Sequence, residues 1–365
     1  MILMNDFAVE PAELIATELA AVERVRHSGW YILGQEVQAF ERAFAAFCEV
    51  PECVGVGNGL DAIEIGLRAQ GIGPGEEVIT TPMTAFATVL AIIRAGATPV
   101  LADIDPNTGL LDLESVQRCL SPRTRGVLLV HLYGRMPDMT RWVDFCRSAR
   151  IHLWEDCAQA HGAQWAGKQA GTWGEWGAYS FYPTKNLGTW GDGGALVCSD
   201  STVAARARSL RNYGQSDRYN HPILGLNSRL DEIHAAILAV RLNWLSRFNE
   251  RRNEIASRYY ANLRNKAFRL LAPPEQKLRH VYHLFVLLSD VREDLQKHLG
   301  EGGIHSQIHY PVPVHRQPPC RNVRTDPKGL SRVEEYASAC LSLPCHPQLS
   351  DPAVNQVIER LNAFA

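Results

Sequence analysis

Two apolar runs, each ending beside one ionisable side chain, constrain this chain more than any other feature. The run Ile151-His152-Leu153-Trp154 leads to Asp156, and a second run, Ala178 to Tyr182, leads to Lys185 on a turn marked by Pro183 and Gly188. Near-continuous apolar runs of this length suit strands buried on both faces of a parallel sheet. Ligands of such sheets bind beyond the carboxyl ends of the strands. A carboxylate and an amine delivered there suit pyridoxal 5'-phosphate, a cofactor that needs an amine for covalent attachment and an acid to keep its ring nitrogen protonated. Either residue alone is weak evidence, because an acid after a strand often caps a helix and a lysine in a glycine-rich loop is usually solvated.

The text around the pair is more specific. EDCAQAHGA, AYSFYPTKNLG and GDGGAL, which all lie between Glu155 and Leu196, resemble the DegT/DnrJ/EryC1/StrS family of sugar aminotransferases. The resemblance runs from about Trp30 to about Pro347. It implies an α/β protein of the pyridoxal-phosphate-dependent transferase fold type I. The expected architecture is a large domain with a mostly parallel seven-stranded sheet, plus a smaller C-terminal α/β domain.

Composition excludes several other classes. The chain has 365 residues, a formal net charge of −2 and no long basic block, so no nucleic-acid surface is indicated. No apolar run reaches membrane-spanning length, and MILMNDFAVEPAEL lacks the layout of a secretory signal. The nine cysteines are scattered, without a CxxC pair or zinc spacing. Free thiols in a reducing cytoplasm are therefore expected, with no metal site.

Helical periodicity covers Ala12 to Ser28 and Gln35 to Phe47, broken by Gly29-Trp30-Tyr31-Ile32-Leu33-Gly34. Short apolar strands at Cys53, Glu77, Thr98, Gly126, Ile151, Ala178 and Gly193 then alternate with helical segments, the pattern of a mostly parallel sheet covered on both faces. Composition shifts after Arg241. The expected division is a pyridoxal-phosphate-binding domain over 1–241 and a small domain over 242–365, the latter with strands at Tyr282 to Ser289 and Ile304 to His309.

The strand-to-helix turn Gly57-Asn58-Gly59-Leu60-Asp61 offers free amides suited to a phosphate. Asn58 and Asp61 have the spacing of reciprocal caps. The resemblance makes the amides of Gly59 and Leu60 the phosphate cup, and adds the Ser180 hydroxyl. It places Gln159 against the cofactor ring or its phenolic oxygen, and leaves His161 as loop support. It makes Lys185 and Asp156 the catalytic pair. It also makes Asn227, in GLNSRLDE, a residue that crosses a homodimer interface to the neighbour's phosphate, whereas a helix cap is its ordinary alternative. Arg229 is expected in a structural ion pair. His309 and Tyr310, in HYPVPVH, and Trp30 are the expected substrate contacts. Where relatives carry an aromatic over the ring, this chain has Ala85, with Phe86 next to it.

The expected activity moves an amino group from an amino acid, L-glutamate by analogy, to a nucleotide-linked keto-sugar. A dTDP-3-keto-6-deoxyhexose is the preferred acceptor and C4 amination the alternative. A sugar dehydratase is a further alternative, but the Schiff-base lysine of that branch is replaced by histidine, and this chain has Lys185. The last alternative is a non-enzymatic binding or regulatory relative.

Overall fold

The computed structural model describes residues 1–364. Its centre is an eight-stranded sheet. The strands are β1 (Glu52–Val56), β2 (Glu77–Thr80), β3 (Thr98–Leu101), β4 (Thr124–Val130), β5 (His152–Asp156), β6 (Trp176–Ser180), β7 (Gly194–Cys198) and β8 (Arg324–Thr325), in the order β1-β7-β6-β5-β4-β2-β3-β8. Only β7 runs against its neighbours; the other pairs are parallel. Seven strands come from residues 52–198, as expected. The eighth is a two-residue edge strand supplied by the C-terminal part of the chain, too short to leave a periodic signal.

Alternation along the strands feeds two cores. Val127, Leu129, Leu153, Tyr179 and Phe181 lie in the core under helix α2 (Gln35–Cys48) with Phe40 and Phe44. Leu128, Trp154, Trp176 and Ala178 lie in the opposite core, under helix α3 (Gly59–Ala69). Side-chain period 2 therefore sends Glu155 to the α2 face and Asp156 and Ser180 to the α3 face. Glycine lets α3 approach closely. A Cβ on Gly59 would stand 2.6 Å from Ser180 Cβ, and one on Gly66 2.7 Å from the Trp176 ring. The two glycines are two helical turns apart and share a face.

The C-terminal part has its own three-stranded sheet, Arg269–Leu270, Phe285–Leu288 and Cys340–Leu343. Phe285 and Leu287 face a core built with the helices Leu245–Asn262 and Asp351–Asn362. Val286 and Leu288 face the large sheet's edge, in a cluster with Leu101 and Tyr133. The strand expected over Ile304 to His309 is not formed. That segment makes only single bridges, Ile304 to Ile2 and Gln307 to Ser342. All nine cysteines are free and buried.

The expected helix pair at the N-terminus is present as α1 (Ala12–Ser28) and α2. The turn between them docks on helix α4 (Glu232–Leu242). Glu232, 2% exposed, accepts the backbone N–H groups of Gly34 (2.8 Å), Glu36 (2.9 Å) and Val37 (2.9 Å). A side chain from α4 thus caps α2, satisfying amides the helix cannot pair itself. Glu232→Ala should strand these amides and destabilise the fold by about 3 kcal/mol. Equilibrium urea unfolding checks this, and a midpoint equal to that of the unaltered protein would remove the cap's assigned weight.

Candidate active site

Asp156 ends β5 and pairs in register with Ala178 on β6, so Asp156 and Ser180 lie on adjoining strand ends on one face. Asp156 is 5% exposed. Its Oδ2 accepts the Thr88 hydroxyl at 2.8 Å, and its Oδ1 accepts the Ala158 N–H at 3.1 Å. Thr88 is held in turn by Thr84, Oγ1 to Oγ1 at 2.8 Å. These two threonines are neighbours of Asp156 that the sequence alone did not single out. Their only signal was the polar TxxxT spacing at the start of an otherwise apolar helix, Phe86–Arg94. Ala85 is the N-cap of that helix, and Phe86 packs into the cluster with Met83 and Tyr133.

Lys185 is brought close to Asp156 by the turn that follows β6. The turn closes locally through Lys185 N–H to Tyr182 O at 2.9 Å and Thr189 N–H to Phe181 O at 2.8 Å. Burial lowers the Lys185 amine from 10.5 to about 8, against the opposing pull of the Asp156 charge. Burial also disfavours the charged form of two nearby imidazoles. His161 is held down to about 3 and His309 to about 4, with the Lys185 charge as the second cause in each.

At the start of α3, Asn58 is the N-cap as expected, but the Asp61 carboxylate meets the Asn58 side chain rather than its backbone N–H. Asn58 Oδ1 accepts Asp61 N–H at 2.8 Å, and Asn58 Nδ2 donates to Asp61 Oδ2 at 3.0 Å. The amides of Gly59 and Leu60 have no acceptor among the described residues. They begin a helix lying against Ser180, so two free donors and a hydroxyl converge where the helix dipole favours an anion.

Gln159 is locked. Its Oε1 accepts Tyr133 N–H at 2.6 Å, and its Nε2 donates to Tyr310 OH at 3.2 Å. Tyr310 is pushed up to about 12, by burial first and the Asp156 charge second. Tyr310 is thus brought to the Asp156 cluster, and His309 beside it bonds Ser342 Oγ through Nδ1 at 2.9 Å. His315, by contrast, is tied to Glu334 at 2.9 Å.

Two expected site residues lie on the outer surface of the chain. Asn227 is exposed and forms a single backbone bridge to Asn212. Neither Asn227 nor Ser228 caps the helix that follows, whose N-cap is Asp231; Ser228 Oγ instead accepts Gly57 N–H at 3.0 Å. Trp30 is 63% exposed, with its indole N–H on Ile32 O at 2.7 Å. It lines a surface groove of about 510 Å³ with Arg24, Leu33 and Glu36. Arg229 corrects the expectation of an ion pair. Among the described residues it has no carboxylate partner; it donates to Asn212 Oδ1 at 3.2 Å and lies over the Tyr213 ring. Glu232, three residues on, is taken by the backbone amides of Gly34, Glu36 and Val37.

Glu155, next to Asp156, faces the other way. Its carboxylate accepts Gly171, Trp173 and Gly174 N–H, each at 2.8 Å, and stands 2.8 Å from His131 Nε2. Cys157 lies near this pair, but four donors saturate both oxygens and leave no lone pair to hold a metal ion.

The model of the DegT/DnrJ/EryC1/StrS aminotransferase family matches residues 12–362. The chain belongs to this family. It is similar to the dTDP-3-amino-3,4,6-trideoxy-alpha-D-glucose transaminase of Streptomyces venezuelae, 42% identical over 97% of this chain and 93% of that one. It is 43% identical to the dTDP-3-amino-3,6-dideoxy-alpha-D-galactopyranose transaminase of Aneurinibacillus thermoaerophilus, over 94% of each chain. Among solved structures, S. venezuelae DesV in complex with a ketimine intermediate superposes with a TM-score of 0.93 at 42% identity, covering 96% of this chain and 94% of that one.

The electrostatics give a direct test. In cofactor-free protein, Lys185 should become reactive to an amine-labelling reagent as pH rises through about 8. Asp156 favours the ammonium form, so Asp156→Asn should move that midpoint lower. Site-resolved mass spectrometry reads both, and an upward move in Asp156→Asn would overturn the coupling.

Proposed function

We propose that this chain is a pyridoxal-phosphate-dependent aminotransferase that carries an amino group from L-glutamate to the C3 ketone of a dTDP-linked 6-deoxyhexose. The convergence of Lys185, Asp156, Ser180 and the free amides of Gly59 and Leu60 at neighbouring strand ends carries the proposal. These residues fit the cofactor, with an anion cup at one end and a buried acid beside an amine at the other. C3 amination is favoured because two relatives above 40% identity are named for 3-amino sugars.

The cofactor, when bound, supplies an aldehyde for the amino group and a ring that accepts electrons. Asp156 would hold the proton on the ring nitrogen of the bound cofactor. Its own orientation is fixed by Thr88 and by Ala158 N–H. Lys185 is neutral above a pH of about 8, and so can take the proton from Cα of the amino acid and return it elsewhere. Gln159 and Tyr310 form one bonded unit beside Asp156 that would line the cofactor site. His309 and Tyr310 are assigned to the sugar. The division of the chain at residue 241, the cytoplasmic location and the homodimer belong to the same proposal.

Borohydride reduction of the loaded enzyme followed by peptide mapping should label Lys185, and Lys185→Ala should retain cofactor without transferring amine. A label on Lys168 instead would refute the assignment. Asp156→Asn should keep its fold while kcat falls by about 10⁴-fold, as for other carboxylates that fix a proton in place. Incubation with glutamate and a panel of nucleotide 3-keto and 4-keto sugars decides the acceptor.

In the homodimer, Asn227 and Trp30 are assigned to the neighbouring subunit's site. Their exposure in the single chain supports this, as does the shortfall of donors to a doubly charged phosphate within one chain. Lys185→Ala and Asn227→Ala are then expected to complement. Subunit exchange collects both lesions in one site and leaves the other intact. No recovery after confirmed exchange, with Asn227→Ala alone defective at the cofactor level used, would reject action in trans.

A further inference from the structure

Asn186 follows Lys185 directly and is buried. Its side chain points away from the turn into a polar seam between segments distant in sequence. Asn186 Nδ2 donates to Asn249 Oδ1 at 2.8 Å and to Val281 O at 2.9 Å. Asn186 Oδ1 stands 3.1 Å from His283 Nδ1. A backbone carbonyl can only accept, so Val281 fixes which end of the amide carries nitrogen. Oδ1 can only accept too, so His283 must carry its proton on Nδ1. Asn249 extends the seam, donating from Nδ2 to His161 O at 2.8 Å. Every side-chain amide nitrogen and oxygen named here has a partner, and both hydrogens of Asn186 Nδ2 are used, the condition under which a buried polar network rigidifies a site.

Besides the loop of His161, the seam joins three parts of the chain. The turn carrying Lys185 follows β6, Asn249 belongs to the helix Leu245–Asn262, and Val281 and His283 lead into the strand Phe285–Leu288. The backbone bonds that close the turn are local and leave it free to tilt as a unit. A lysine side chain is long and flexible, so the position of its amine depends on where the backbone beneath it is held. The ionisable groups facing that amine are Asp156, His161, His309 and His283, with Arg252 behind His283. Burial holds His283 far below its ordinary range, and the Lys185 and Arg252 charges act the same way. The seam therefore restrains Lys185 without placing a second full charge against it.

We propose that Asn186, locked by Val281, Asn249 and His283, is a positioning residue that fixes the Lys185 amine in the site from the side of the C-terminal segments. The proposal rests on the role given to Lys185 above, but its primary test reads the cofactor-free amine. With the anchor removed in Asn186→Ala, the turn tilts and the amine gains water. Its labelling midpoint should rise from about 8 toward 10.5. In the loaded enzyme, kcat should fall by about 10²-fold, the scale expected for misplacement of a reacting group, with KM for L-glutamate little changed. His283→Leu should reproduce both effects. His283→Asn should retain most activity, because its Nδ2 can donate from the position His283 Nδ1 occupied.

A purely structural amide would lower thermal stability without moving the labelling midpoint. An unchanged midpoint in Asn186→Ala and His283→Leu, with normal kcat per folded site, overturns the proposal. Should Asn186→Ala fail to fold, His283→Leu applies the same test from the other side of the bond. A borohydride label elsewhere than Lys185, alongside a shifted midpoint, would count against the functional assignment and leave the positioning intact.

Discussion

Two carboxylates lie next to each other at the end of β5, and the site depends on their being satisfied differently. Glu155 turns to the α2 face, where three backbone amides and His131 consume its acceptor capacity. Asp156 turns to the α3 face with one hydroxyl and one amide, which leaves lone pairs for a further proton. A buried charge is tolerated only when paired or well bonded. Glu155 meets that requirement by fixing the loop Gly171 to Gly174 against the sheet. Asp156 meets it only partly, and the unused capacity points where a ligand would lie. Opposite roles follow from the two-residue period of a strand rather than from any chemical difference between the acids.

The amine opposite Asp156 is governed by the same balance. Burial favours its neutral form and the carboxylate favours its charged form, leaving it at about 8. His161 and His309 add no charge, because burial keeps them neutral well below physiological pH. The surroundings of Lys185 are thus polar but carry little charge besides Asp156. That composition leaves the amine partly neutral near pH 8.

The C-terminal part of the chain contributes to this site by bonding rather than by bulk. Tyr310 reaches Gln159, and His283 reaches Asn186. The chain also supplies the edge strand β8 to the large sheet, and Ile2 bridges to Ile304. Such crossings make the site a joint product of both ends of the sequence.

The sequence by itself determined the order of strands and helices, the strand ends that carry Asp156 and Lys185, and the Asn58 cap, because each depends on neighbours within a few residues. Helix Ala12–Ser28 and strand Glu77–Thr80 lie where periodicity puts them, since a long amphipathic run or a buried apolar run has few alternatives. Ile304 to His309 carries only two apolar residues, Ile304 and Ile308, and lacks a paired neighbour along its length, so no strand forms. Only the tertiary structure decided that Thr88 holds Asp156, that Asn186 meets His283, that Glu232 caps a helix nearly 200 positions away, and that Arg229 finds no acid. Those contacts join residues far apart in the chain, and a hydrogen bond is set by a few ångströms in space that spacing along a sequence does not encode.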